Sequence, residues 1–288
     1  DYVFQLYPSA RLTCGGEQIP KYWDPGYQQE YARFIKEFGR RYNGDKRIAF
    51  IQTGVGLYGE TQPAKDDYDD CLQKAGLTKD LWIEVSKWVI DQYAAAFPDT
   101  QLVVEYAPKY LSNCERKTIS DYAASKGVGL QHSGLKPDGG GNVIIDDPAS
   151  SSYQCGQYDP ILKYWPTQVT GWEGTESIDA QGPAATMWRI YSGLDKHADY
   201  ILLDDYQVYD KSRWDMLEFG NTYAGRTLDN TPGVWVALRE TEYDWFPEYG
   251  NFTFWLYQLD GVSGGKTVPL FNIGTAPEGR YTRRTDGA

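Results

Sequence analysis

Two glutamates stand where strand-like runs end. Residues 48–60 read Ile-Ala-Phe-Ile-Gln-Thr-Gly-Val-Gly-Leu-Tyr-Gly-Glu, and residues 169–176 read Val-Thr-Gly-Trp-Glu-Gly-Thr-Glu. Each run begins apolar and ends in a glycine-rich turn that presents a carboxylate, Glu60 in the first and Glu173 in the second. In a (β/α)8 barrel the C-terminal strand ends share one face, and active sites are built there. Two carboxylates in one cleft cleave a glycosidic bond without a cofactor: one protonates the leaving oxygen and the other attacks the anomeric carbon. For either residue alone, the plain alternative is a solvated loop acid.

The elements that would position this pair follow from periodicity. Strands are expected over 3–7, 48–52, 101–106, 128–132, 169–172 and 200–203, where short β-prone or apolar runs are bounded by turn residues. Helices are expected over 27–42, 78–97, 116–126, 160–164, 183–194 and 214–223. In the first of these Tyr27, Tyr31, Phe34, Ile35, Phe38 and Tyr42 recur at helical spacing. Alternating strands and helices predict a parallel sheet with right-handed crossovers. Connections after strands are long and polar, including a Gly/Ser/Asp-rich loop over 133–158, and those before strands are short. The expected fold is α/β, a TIM-type barrel domain over 1–225. A doubly wound open sheet is the runner-up, and no glycine-rich phosphate loop follows any strand to support it. Runs at 234–238, 252–257 and 268–271 predict antiparallel strands in a β-rich appendage over 226–288, read as the start of a β-sandwich.

Composition narrows the chemistry. The chain has 28 basic and 40 acidic residues, a net charge of −12. That opposes nucleic acid, whose binding rests on neutralising phosphates, and disfavours polyanionic polysaccharides. Neutral substrates are favoured. Aromatics reach 15%, with 24 Tyr and 10 Trp; they suit stacking on sugar C–H faces, and they equally suit core packing. Two His and no paired C-x2-C motif argue against a metal site, and no cofactor is expected. No apolar run approaches the about 20 residues of a membrane span.

Cys14, Cys71, Cys114 and Cys155 are scattered and even in number, which predicts two disulfides and an extracellular, secreted protein. Each is read as lying in a loop after a strand, so Cys14–Cys71 with Cys114–Cys155 is the first choice of pairing and Cys71–Cys114 with Cys14–Cys155 the second; three connectivities are open. Asn251-Phe252-Thr253 is a glycosylation sequon.

The run ending in Glu60, followed by Trp172-Glu173, resembles the clan A retaining glycoside hydrolases, in their β-galactosidase-like branches. In that clan the acid/base glutamate ends the fourth barrel strand and the nucleophile ends the seventh. With Glu60 on strand four, counting forward puts Glu173 on strand seven, and counting backward makes 3–7 strand three. The resemblance therefore covers residues 1 to about 215 and implies that strands one and two precede residue 1, supplied by preceding chain or by another subunit. The clan usually carries Asn before the acid/base residue, where it contacts the sugar 2-hydroxyl; this chain has Gly59. Glu176 is the alternative nucleophile.

Around the pair, Tyr58, Tyr106, Trp172 and Tyr206 are candidate stacking platforms, Gln131 and His132 could orient the nucleophile, Asp204 and Asp205 could hold sugar hydroxyls, and Glu105 could be a third acid. The expected function is retaining hydrolysis of a neutral β-linked oligo- or polysaccharide. The alternative from another class is a non-catalytic carbohydrate-binding or self-assembling protein on a barrel scaffold.

Overall fold

The computed structural model describes residues 2–106, 110, 111, 114–135, 159–174, 186, 189, 190, 193, 194, 197–203, 205–225, 233–240, 252–259 and 266–273. The chain divides into two compact units, residues 1–132 with 146–169, and residues 133–145 with 170–288.

The first unit opens with a departure from expectation. Residues 3–7 are not a strand: helix α1 (Tyr2–Leu6) occupies them, followed by a 3-10 turn at Pro8–Ala10. A five-residue apolar run has no periodicity that separates strand from helix. Packing decides it, because the ring of Tyr7 fills the space that a Cβ on Gly26 would take. The expected third barrel strand is therefore absent from this position. Next, where a loop was expected, β1 (Arg11–Cys14) and β2 (Glu17–Pro20) form an antiparallel hairpin. Gly15 and Gly16 close it at φ +57° and +87°, the positive values that a two-residue type I′ turn demands.

Cys14 is bonded to Cys71 across 57 residues, with Cα atoms 5.9 Å apart. Neither lies in a loop after a parallel strand as expected. Cys14 ends β1, and Cys71 sits in helix α3 (Asp69–Lys74). By the chain-entropy account, closing a loop of this length stabilises the fold by about 4 kcal/mol. Cys114 is also disulfide-bonded; Cys155 and Asn251 lie outside the described residues.

Helix α2 (Pro25–Tyr42) starts where Asp24 accepts from the amides of Gly26 at 2.8 Å and Tyr27 at 3.2 Å, with Pro25 in the first turn. Its aromatic residues touch in succession, Tyr27 to Tyr31, Phe34, Phe38 and Tyr42, with ring centroids 5.2–6.2 Å apart. It packs on α4 (Lys79–Ala96), which Thr78 caps through the Leu81 amide. Gly39 permits the contact, since a Cβ there would overlap the Ala96 carbonyl.

Behind these helices lie β3 (Ile51–Gln52), β4 (Leu102–Glu105) and β5 (Gly129–Leu135), paired in parallel, with α5 (Glu115–Ser125) between β4 and β5. Every residue of β4 is buried, as befits a parallel strand covered on both faces. Helix Asp159–Tyr164 ties back to α5 through Lys163 and Tyr164 on Asp121.

In the second unit β6 (Thr170–Gly174) and β7 (Tyr200–Leu202) pair in parallel. The described residues of the helix expected over 183–194 are helical, and helices Asp205–Tyr209 and Trp214–Tyr223 follow β7. Strands β8 (Gly233–Glu240), β9 (Phe252–Leu259) and β10 (Lys266–Ile273) form an antiparallel sheet in the order β10-β9-β8. The parallel sheet has the order β3-β4-β5-β6-β7. It holds five of the six expected strands, so the fold is mixed α/β with a five-stranded parallel sheet and small antiparallel ones. No helix among the described residues is long and apolar enough to cross a membrane.

The tyrosines of the first unit lend themselves to a pH test. Burial, with Tyr93 as a like neighbour, pushes the Tyr27 phenol up to about 12; burial, with Asp69 and Glu115, does the same for Tyr110. Burial raises Tyr22 and Tyr31 as well. A phenol whose folded pKa exceeds its unfolded value retains its proton longer in the native state, so stability is complete below about pH 10 and falls as pH rises toward 12. Absorbance titration at 295 nm should show these tyrosines silent at pH 10–11 and ionising together with loss of the far-UV helical signal. Smooth titration of all tyrosines near pH 10 with the fold intact would refute the burial described.

Candidate functional site

Glu60 does not end a continuous strand. After Gln52 the chain leaves the sheet, makes a 3-10 turn at Leu57–Gly59 and returns. Thr53 anchors the exit by donating its amide to the Val103 carbonyl at 2.8 Å. On return, Glu60 forms an isolated parallel bridge with Glu105, the last residue of β4. Glu105 in turn is in register with Gln131 of β5, and the Tyr106 amide donates to the Gln131 carbonyl at 3.1 Å. Glu60, Glu105 and Gln131 thus form one row across adjacent strand ends.

The excursion is braced from several sides. The Leu57 amide donates to the Gln62 carbonyl at 2.8 Å, and the Gln62 amide group donates to the Glu60 carboxylate at 2.8 Å. Trp82, fully buried on α4, donates its indole N–H to the Thr61 carbonyl at 2.9 Å. Tyr31 on α2 donates its hydroxyl to the Gly54 carbonyl; burial raises its pKa, which keeps the proton in place for that bond. Tyr58 takes φ +57°, a left-handed conformation costly for a side-chain-bearing residue, and its ring is 76% exposed. Glu60 is half-buried, whereas Glu105, Tyr106, Gln131 and His132 are fully buried. The His132 and Tyr106 rings meet edge to face at 5.2 Å.

In the second unit Glu173 lies one residue from the end of β6, in register with Leu202, and is half-buried. Ser133 donates its hydroxyl to the Glu173 carboxylate at 3.3 Å. Trp172 points into the core and is fully buried. A Cβ on Gly174 would overlap the guanidinium of Arg189, itself fully buried. Glycine at 174 is thus what lets this cation lie against the strand one residue beyond Glu173.

Of the expected site residues, the first unit brings Glu60, Glu105, Tyr106, Gln131 and His132 to the same strand ends. Full burial of Tyr106 and Trp172 makes them packing groups in this structure, not open stacking faces; Tyr58 alone of the expected platforms with a described side chain presents its ring to solvent. Asp205 and Tyr206 lie on helix Asp205–Tyr209. Asp204 and Glu176 lie outside the described residues. Sequence reasoning missed Gln62, Ser133 and Arg189. Ser133 carried a signal, since β5 continues past His132 through an apolar Leu135; Arg189, a lone cation in an apolar helix, carried another. Among the described residues no group of three or more His, Cys, Asp or Glu is placed to hold a metal ion.

Gly56 offers a test of the bracing. A Cβ there would overlap the Gln62 carbonyl, so Gly56→Ala must part the Leu57–Gln62 hydrogen bond that closes the loop. The expected cost, read from thermal or urea unfolding, is about 1–3 kcal/mol. An unchanged unfolding midpoint would show that the loop is not closed in this way.

No protein-family model matches the chain, and no curated protein matches it in sequence comparison.

Proposed function

We propose that this chain is a retaining glycoside hydrolase acting on neutral β-linked glycans, with Glu173 as nucleophile and Glu60 as acid/base. The observation that carries the reading is that each glutamate is tied to the C-terminal end of a parallel strand, Glu173 within β6 and Glu60 by its bridge to the end of β4. The resemblance of these two runs to the clan A hydrolases supports the assignment of roles.

In the first step Glu173 attacks the anomeric carbon, the glycosidic C–O bond breaks, and Glu60 gives its proton to the departing oxygen. In the second, Glu60 takes a proton from water, the water oxygen attacks the same carbon, and Glu173 is released. Retention requires the two carboxyls about 5–5.5 Å apart in the working enzyme. The Ser133 hydroxyl on the Glu173 carboxylate and the Gln62 amide on Glu60 fix the orientation of each. Tyr58 supplies an open ring for a sugar face; Gln131, His132, Asp205 and Tyr206 are proposed sugar contacts or supports, and Glu176 is the next nucleophile to test. The net charge of −12 favours neutral glycans over acidic ones. The Cys14–Cys71 disulfide suits action in an oxidising, extracellular setting.

Gly59, in place of the clan's Asn, favours a second reading: a carbohydrate-binding protein without catalysis. A panel of aryl β-glycosides separates the two. The expected result is hydrolysis with the β-anomer formed first by NMR. Glu60→Ala and Glu173→Ala should each fall about 10²–10⁴-fold, and azide should rescue Glu173→Ala as the α-glycosyl azide and Glu60→Ala as the β-glycosyl azide. An α-anomer as first product would remove the retaining mechanism, and an inert panel would leave the binding reading.

A further inference from the structure

Two large rings of the second unit, apart from the expected site residues, stand in solvent. Tyr209 is 79% exposed and Trp214 51%. They flank a short 3-10 turn, Lys211–Arg213, in the connection that follows β7. The turn is firmly held. Asp210 accepts from the amide of Ser212 at 3.0 Å and from its hydroxyl at 2.7 Å, and its second oxygen accepts from Arg213 at 3.0 Å. Arg213 is buried and donates to the hydroxyl of Thr186, which also accepts from Gln207 at 3.3 Å.

Trp214 is fixed by its edge. Its indole N–H donates to the Val208 carbonyl at 3.0 Å, and the Lys211 ammonium lies 5.6 Å from its ring centroid. The polar group of the side chain is thus satisfied while much of the ring remains in water. Lys211 and Ser212, both exposed, stand between the two residues along the chain, with the Ser212 hydroxyl turned to Asp210 and the Lys211 ammonium toward Trp214. Apolar faces held out at a rigid turn, with polar groups between them, match a ligand that has C–H faces and hydroxyl edges together. That is the surface of a sugar, whereas a protein partner would call for a broader apolar patch. The turn belongs to the connection leaving the C-terminal end of β7, whose Leu202 is in register with Glu173.

We propose that Tyr209 and Trp214 form a carbohydrate-binding platform that stacks on residues of a neutral glycan chain. The ligand class rests on the glycosidase reading; the platform itself rests on two exposed rings at a hydrogen-bonded turn. One lysine beside Asp210 in a chain of net charge −12 does not make a polyanion site.

Affinity electrophoresis of the full chain through gels holding soluble β-glucan, β-galactan or arabinoxylan tests it, with polygalacturonate as the acidic control. Wild type should be retarded by at least one neutral polysaccharide, and Tyr209→Ala and Trp214→Ala should each bind at least about fivefold more weakly. Tyr209→Ala removes a ring that is mostly in water, so it keeps the test valid if Trp214→Ala fails to fold. No retardation by any neutral polysaccharide, retardation of both variants equal to that of wild type, or retardation by polygalacturonate alone would each overturn the platform. Retardation lost in the variants, with every aryl glycoside left intact, would uphold the platform and remove the catalytic reading. Aryl-glycoside hydrolysis with retardation unaltered by both variants would do the reverse.

Discussion

Leu102, Val103, Val104 and Glu105 form a strand withdrawn from water on both faces, each residue 5% exposed or less. Covering such a strand requires neighbours on both edges and packing over both faces. In the first unit the edges are met by β3 and Glu60 on one side and by β5 on the other, and α4, with α5 packed beside it, lies against the strand. Three residues of the strand are apolar, and their burial drives the assembly. The fourth is an acid, and the row of polar groups begins at its level. Site and core are therefore one construction: the apolar part of β4 is what holds Glu60 and Gln131 in line.

Periodicity made most of this legible. Helix Trp214–Tyr223 is found at the expected residues, α2, α4 and α5 within two, and the strands from β4 onward within three. What failed was short or decided by long-range contact. Residues 3–7 became α1 because Tyr7 found a place against Gly26, a partner that no local pattern announces. The hairpin Arg11–Pro20 did carry a signal, a Gly-Gly pair between two β-prone stretches, but the glycine- and proline-rich composition concealed it. β3 is two residues long where five were expected.

Candidate site residues were legible by type and less so by accessibility. Glu60 and Glu173 could be picked out because glycine-rich turns follow apolar runs. Aromatic residues could not be sorted the same way. Tyr31 and Tyr106, Trp82 and Trp214 look alike in a sequence, yet Trp82 is sealed in the core with its N–H on a backbone carbonyl and Trp214 holds the same kind of bond while its ring faces water. The distinction lies in what surrounds each ring, and only tertiary structure supplies that.

The segment between Thr53 and Glu60 is pinned at both ends, by the Thr53 amide on Val103 and by the Glu60 bridge to Glu105. The distance it must span is set by the sheet and not by its own length. Loop closure depends only weakly on the number of residues between two fixed points. This stretch is therefore a cassette. Residues added or removed around Leu57 and Tyr58 would redraw the surface beside the carboxylate at the expense of the Leu57–Gln62 closure, while the strand contacts of Thr53 and Glu60 stay in place. A change of length here would alter that surface with no need to rebuild the strands beneath.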